Sequence, residues 1–90
     1  MIIVAGEALI DLIGHEGDDA GYKPVVGGAN ANVAMALAKS GVPHKFLARI
    51  STDSFGQKIT NHLRSYEVDL SMAVSAPEQT TLAIATIDGK

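Results

Sequence analysis

The stretch Val25-Val26-Gly27-Gly28-Ala29-Asn30-Ala31-Asn32 runs directly into Val33-Ala34-Met35-Ala36-Leu37-Ala38-Lys39-Ser40-Gly41, and it constrains the fold more than any other part of the chain. An apolar strand ends there, two glycines make the turn, and a helix opens with two asparagines in its first turn. Glycines at that junction leave no Cβ between the backbone and an approaching ligand. The helix N-terminus offers unpaired N–H donors, and an asparagine adds a side chain that both donates and accepts. The junction is therefore a place to hold a small polar molecule. Asn30 is expected as the helix N-cap, Gly41 as the C′ residue and Pro43 as the block to continuation. Ala31, Val33, Ala34 and Ala38 predict a helix packed closely on a sheet.

Around this unit the hydrophobic pattern predicts further elements. Ile2-Ile3-Val4-Ala5 is short, β-branched and apolar on both faces, as a buried parallel strand is. Ala8 to Ile13 continues as a second extended run, and Tyr22 to Val26 as a third, with Pro24 marking it as an edge strand. His44 to Ile50 reads as a strand. Ser54-Phe55-Gly56-Gln57 has the form of a capping box, with Phe55, Ile59, Leu63 and Tyr66 at helical spacing as core. Val68 to Val74 reads as extended, and Thr80 to Ile87 alternates as a strand before an Asp88-Gly89-Lys90 hairpin turn. A turn with no returning strand suggests the N-terminal piece of a longer protein. The βαβα part predicts an open parallel sheet with helices on it. The strands near 8–13, 22–26, 71–75 and 80–87 do not fit that layer and are assigned to a small separate sheet, a lid.

Composition narrows the function classes. A chain of 90 residues that is 47% hydrophobic is packed rather than disordered. Its formal net charge of −3, with seven Lys and Arg spread singly, argues against nucleic acid and against a polybasic membrane patch. The absence of cysteine excludes a disulfide framework, a thiolate nucleophile and a cysteine metal site. Glu7 and Asp11 interrupt what would have to be a signal core, and no run is long enough to cross a membrane as a helix, so a cytoplasmic protein is expected.

Asp11 is the second informative residue. Alternation puts it on an apolar face with Leu9 and Ile13, where an unpartnered charge is costly. It reads either as a carboxylate accepting hydrogen bonds from ligand hydroxyls, or as an edge-strand residue satisfied by water or backbone N–H groups. Glu7, at the end of the first strand, is a site residue or a solvated charge. Asn32 is a ligand contact or bonds to backbone, since asparagine is a mediocre helix former. His15-Glu16-Gly17-Asp18-Asp19 carries metal-capable groups but completes no ligand set and reads as a solvated acidic turn. His44 and His62 have no serine or acid arranged around them as a triad. Asp53 and Ser54 read as helix caps, and Arg49 at a strand end as a residue that could meet a phosphate.

Four segments in order resemble the ribokinase-like (PfkB) family of carbohydrate kinases over nearly the whole chain: Gly6-Glu7-Ala8-Leu9-Ile10-Asp11, Gly27 to Ala34, Ser51-Thr52-Asp53-Ser54-Phe55-Gly56 and Thr80-Thr81-Leu82-Ala83. The resemblance implies a three-layer α/β/α domain, of which residues 1–90 are the N-terminal part, with a small β-sheet lid over the sugar site. It implies phosphoryl transfer from ATP with Mg²⁺ to a sugar hydroxyl. By position Asp11 would bind sugar hydroxyls, the Gly28 backbone and Ala29 would lie against the sugar, and Asn32 would donate to it. The wording leans to the fructokinase group, with 2-keto-3-deoxygluconate kinases next. Ala29 stands where ribokinases carry a lysine, Asn30 where the family has Pro, Gly or another small residue, and Ser51 where it has Gly.

The family's catalytic base, anion hole and ATP site belong to a C-terminal Gly-Ala-Gly-Asp motif that these 90 residues do not contain. The resemblance therefore assigns no catalytic, cofactor-binding or metal-binding residue to this chain, which alone is expected to be inactive. Exposed lid edges could pair two subunits into a homodimer. Two other classes compete. One is a non-catalytic sugar-binding module. The other is an NADP-binding βαβ unit with Arg49 on the 2′-phosphate, although its glycine fingerprint would need a glycine near Ala31 or Asn32.

Overall fold

The computed structural model describes residues 1–15 and 21–85. Its element order is β1 (Ile2–Gly6), β2 (Leu9–His15), β3 (Gly21–Gly27), α1 (Ala29–Lys39), β4 (His44–Ser51), α2 (Ser54–Ser65), β5 (Val74–Ala76) and β6 (Leu82–Ala85). The elements form two three-stranded sheets, ordered β1-β4-β5 and β3-β2-β6.

The first sheet is parallel throughout. β1 pairs with β4 from Ile2↔His44 to Gly6↔Ala48, and β4 pairs with β5 from Arg49↔Val74 to Ser51↔Ala76. Burial alternates along β4: His44, Phe46, Ala48 and Ile50 are buried, whereas Leu47 and Arg49 are exposed. One face of the strand is thus covered, and α1 and α2, which both pack on β4, lie on that face. Two right-handed crossovers stepping in the same direction across a sheet give this outcome. Ala31 and Ala34 of α1 have no exposed surface, so the helix backbone approaches β1 and β4 closely, while Ile59 and Leu63 of α2 close the core around Phe46. Val33, expected against the sheet, is exposed instead, and of the expected α2 stripe Tyr66 is exposed and stacked on His62 at 5.1 Å.

The second sheet is mixed. β2 and β3 are antiparallel from Leu9↔Gly27 to His15↔Gly21, and β2 and β6 are parallel from Ile10↔Leu82 to Ile13↔Ala85. Pro24 lies in the edge strand β3, where its missing N–H costs no ladder bond. Ile10 and Val26 turn inward and join this sheet to the main core. Three of the four segments expected in a separate sheet are found there. The fourth is not: the 71–75 segment yields β5, which pairs with β4 in the parallel sheet. Nor is Val68 to Val74 a continuous strand. The Asp69 carbonyl accepts from Phe46 N–H at 2.9 Å, and the Asp69 N–H donates to Nε2 of buried His44 at 3.1 Å. His44 Nδ1 lies 2.9 Å from the Val42 carbonyl, which assigns its proton to Nδ1. The loop is stitched to β4 at Asp69 and at Ser71, whose hydroxyl accepts from Lys45 Nζ at 2.9 Å, and strand pairing begins at Val74. The expected acidic turn at 16–19, the end of the 80–87 strand and the 88–90 turn lie outside the described residues.

Both helices end in the same way. In α1, Gly41 N–H reaches the Ala38 carbonyl and Val42 N–H the Leu37 carbonyl, each at 3.0 Å, with Gly41 at φ 71°. In α2, Glu67 N–H reaches Arg64 at 2.9 Å and Val68 N–H reaches Leu63 at 3.1 Å, with Glu67 at φ 63°. These are paired Schellman bonds, and the left-handed residue in them favours glycine. Glu67 therefore holds a conformation that costs an L residue roughly 1–2 kcal/mol. Glu67→Gly is expected to stabilise the fold by about 1 kcal/mol, read as a raised urea midpoint with an unchanged slope; a lowered midpoint would contradict this geometry.

Candidate functional site

The C-terminal ends of β1, β4 and β5 open onto a cavity of about 490 Å³. Open parallel sheets place ligands at this edge. Its polar lining comes from Glu7 after β1, Asn30 at the start of α1, Arg49 and Ser51 at the end of β4, and Glu78 and Thr80 in the segment leading to β6. Gly6 is required here, because a Cβ would overlap the Asn30 side chain that lies across it. Asn30 is thus a cavity residue. The expected cap assignment fails: the N-cap is Gly28, with no side-chain cap bond.

The β3–α1 junction forms an adjoining wall. Gly28 has φ 105°, and a Cβ on it would stand 2.7 Å from the Glu7 carbonyl oxygen. No L side chain is accommodated there without strain. One residue earlier, a Cβ on Gly27 would overlap the Asp11 carboxylate. Asp11 is opposite Val25 in the β2–β3 ladder, is half-buried, and lays its carboxylate over bare backbone. Asn32 N–H makes the first helical bond, to the Gly28 carbonyl at 3.0 Å, while the Ala29 and Asn32 side chains are exposed on the first turns of α1. Asp11, Gly28, Ala29 and Asn32 are therefore gathered around one junction. None of them lines the cavity at the sheet edge, which lies on the Gly6 and Asn30 side.

The β4–α2 turn is the most heavily bonded corner. Asp53, not Ser54, is the N-cap of α2: its Oδ1 accepts from Gly56 N–H at 2.7 Å. The capping-box partner is absent as well, since the Gln57 amide donates to Asn61 at 2.9 Å. The same Asp53 carboxylate accepts from the Thr80 hydroxyl at 2.6 Å and from Thr80 N–H at 2.9 Å, while Asp53 N–H donates to Ser51 Oγ at 3.1 Å. The Thr80 hydroxyl and N–H, then the Gly56 N–H, hold the Asp53 carboxyl at a pKa of about 2, below its ordinary 3.8. Gly56 is obligatory because a Cβ would overlap the Ser51 carbonyl. Asp53 and Gly56 share one local motif, whereas their partner Thr80 is 27 residues away from Asp53 and has no local signature.

The chain matches the pfkB family of carbohydrate kinases over residues 1–90. A fructokinase from Rhizobium leguminosarum bv. trifolii is 34% identical over an alignment of 89 residues that covers 97% of this chain and 27% of that protein. The crystal structure of a fructokinase with bound ATP from Xylella fastidiosa superposes with a TM-score of 0.88 at 30% identity, covering 96% of this chain and 29% of the other. An uncharacterized sugar kinase from Pyrococcus horikoshii in complex with ATP gives a TM-score of 0.85 at 32% identity, over 99% of this chain and 31% of that one. The chain belongs to the pfkB family of carbohydrate kinases. It spans about three-tenths of the length of the relatives it matches. Its fold class is the expected one, a ribokinase-like α/β domain with a small second sheet.

Within this pfkB chain, the remaining candidates fall into place. Arg49 pairs with Glu78 at 3.5 Å, both side chains well exposed, so the pair is weak. The NADP reading fails on topology: it needs the Gly27-Gly28 turn to follow a strand of the parallel sheet, whereas β3 is antiparallel to β2 in the other sheet. Among the described residues no group of three or more His, Asp or Glu side chains could hold a metal ion. One titration is open to test. Because the folded Asp53 pKa lies below the unfolded value, its ionised form stabilises the fold above pH 4, and that contribution is lost as the pH falls toward 2. Thermal unfolding of wild type and Asp53→Asn across this range should show the variant less stable at pH 7 and the two converging near pH 2. Parallel curves would refute the assignment.

Proposed function

We propose that the intact protein transfers the γ-phosphoryl group of ATP to a sugar hydroxyl in the manner of a fructokinase, and that this chain supplies the wall that holds the acceptor sugar. The observation that carries the reading is the Asp11 carboxylate lying over the bare backbone of Gly27, beside the α1 N-terminus, where no side chain caps the helix. A carboxylate accepts from sugar hydroxyls, and uncapped N–H groups donate to them. The exposed Asn32 amide on α1 can do either. Gly27 leaves room for the Asp11 carboxylate and Gly28 lets the α1 N-terminus sit against the Glu7 carbonyl, so acceptor and donors lie side by side. Fructokinases among the relatives and ATP in two of the superposed structures support the substrate class and the phosphoryl donor.

Phosphoryl transfer needs positioning of the acceptor and charge stabilisation at the transferred group. The residues described here fit the first task. The reading assigns no step at ATP or its metal to this chain. Its contribution is to orient one hydroxyl and to exclude water from beneath the second sheet, which acts as the lid.

The test is steady-state kinetics of the full-length protein with a panel of fructose, other hexoses, ribose and 2-keto-3-deoxygluconate, reading ADP release. Hydrogen bonds to a charged group are worth about 1.5–3 kcal/mol, so Asp11→Ala should raise the acceptor KM roughly 10- to 100-fold with the ATP KM unchanged. Asn32→Ala should raise it less. An unaltered acceptor KM in Asp11→Ala would remove Asp11 from the site. Sugar binding without ADP release would identify a non-catalytic sugar-binding module instead.

A further inference from the structure

The segment from Pro77 to Thr81 leaves the parallel sheet at β5 and starts the lid strand β6, so it is one of the covalent links between the two sheets. Apart from the weak, exposed Arg49–Glu78 pair, its polar anchor is Thr80. Thr80, which is buried, gives both its hydroxyl and its N–H to the Asp53 carboxylate, at 2.6 and 2.9 Å. The next residue continues the connection: the Thr81 carbonyl accepts from Ile10 N–H at 3.1 Å, and Ile10 is the neighbour of Asp11 in β2. The α2 cap is thus joined to the strand that carries Asp11 through one residue pair and one backbone bond.

We infer that Asp53 is a positioning residue for the acceptor site: through Thr80 and Thr81 it fixes the register of β6 on β2, and so the place of the Asp11 carboxylate over Gly27. The inference rests on the reading of Asp11 as a sugar contact. The physical case has three parts. A carboxylate is needed, because three donors converge on two oxygens. A threonine is needed, because it supplies a hydroxyl beside its own N–H. Ile10, Val26 and Leu82 pack on the main core and set which face of each strand turns inward, and the Asp53–Thr80 bonds add a directional tie at the start of β6. Asp53 touches no substrate, and it acts on KM through position.

Two variants in the full-length protein separate this role from helix capping. Asp53→Ser keeps a cap oxygen for Gly56 N–H but is too short to reach Thr80. Thr80→Val removes the hydroxyl and leaves the backbone bond. A displacement of about 1 Å at a positioned group costs up to about 100-fold, so each variant is expected to raise the acceptor KM about tenfold while the ATP KM stays within about twofold. Hydrogen exchange supplies a readout that does not depend on activity. In Asp53→Ser the Ile10 amide should exchange at least about tenfold faster, with the α2 amides unchanged. An unchanged acceptor KM in both variants, or Ile10 and α2 amides accelerating together, would overturn the proposal. If the wild type phosphorylates no sugar, the kinase reading fails, and the Ile10 exchange rate alone then decides the role of Asp53.

Discussion

The structure depends on β4 being covered on one face and paired on both edges. Its strict alternation buries Phe46, Ala48 and Ile50 against α1 and α2, while β1 and β5 take its hydrogen-bonding edges. Burying a side chain such as Phe46 is worth about 1.5–3 kcal/mol, and removing it would cost more through the cavity left behind. The parallel register also fixes where the strands stop. Gly6, Ser51 and Ala76 end at the same edge, which collects Glu7, Asn30, Ser51 and Thr80 around one cavity. The site follows from the register.

Close approach is the second requirement, and it explains the small residues at the element junctions. Gly6, Gly27, Gly28 and Gly56 each stand where a Cβ would meet a side chain or a carbonyl. Gly41, by contrast, would meet nothing and is set by its left-handed φ alone. Four contact-limited glycines bring the β1 end, the β3–α1 junction and the β4–α2 turn within van der Waals distance of their neighbours. The open face of the parallel sheet, carrying Ile3, Leu47 and Val74, is the converse. Parallel sheets are as a rule buried on both faces, and here only the α1 and α2 face is covered.

Much of this was legible in the chain, for physical reasons that can be named. Element order came from periodicity, and the edge position of β3 from Pro24. The α1 terminus followed from Gly41, because only a left-handed residue closes the Schellman bonds. Other features were not legible. Asn30 has the composition of an N-cap, yet Gly28 takes that place, because β3 continues to Gly27 and leaves a single residue before the helix. The 71–75 segment has strand propensity, but which sheet it joins depends on the β4 edge, a tertiary fact. Thr80 looked like the beginning of a strand, and its bond to Asp53 becomes visible only when residues 27 apart are brought together.

The two sheets are held by different kinds of force, and the difference bears on function. Ile10 and Val26 contribute apolar burial, which is non-directional and tolerates small slides of one layer over another. The Asp53–Thr80 cluster is directional, with donor–acceptor distances of 2.6 to 2.9 Å. A lid over a ligand needs both. Non-directional packing leaves small slides cheap, and a short polar anchor selects one geometry among them. Placing that anchor at the N-cap of α2 adds a further constraint, since the carboxylate cannot move toward Thr80 without releasing Gly56. The α2 cap therefore ties the start of β6 to the layer that carries the parallel sheet.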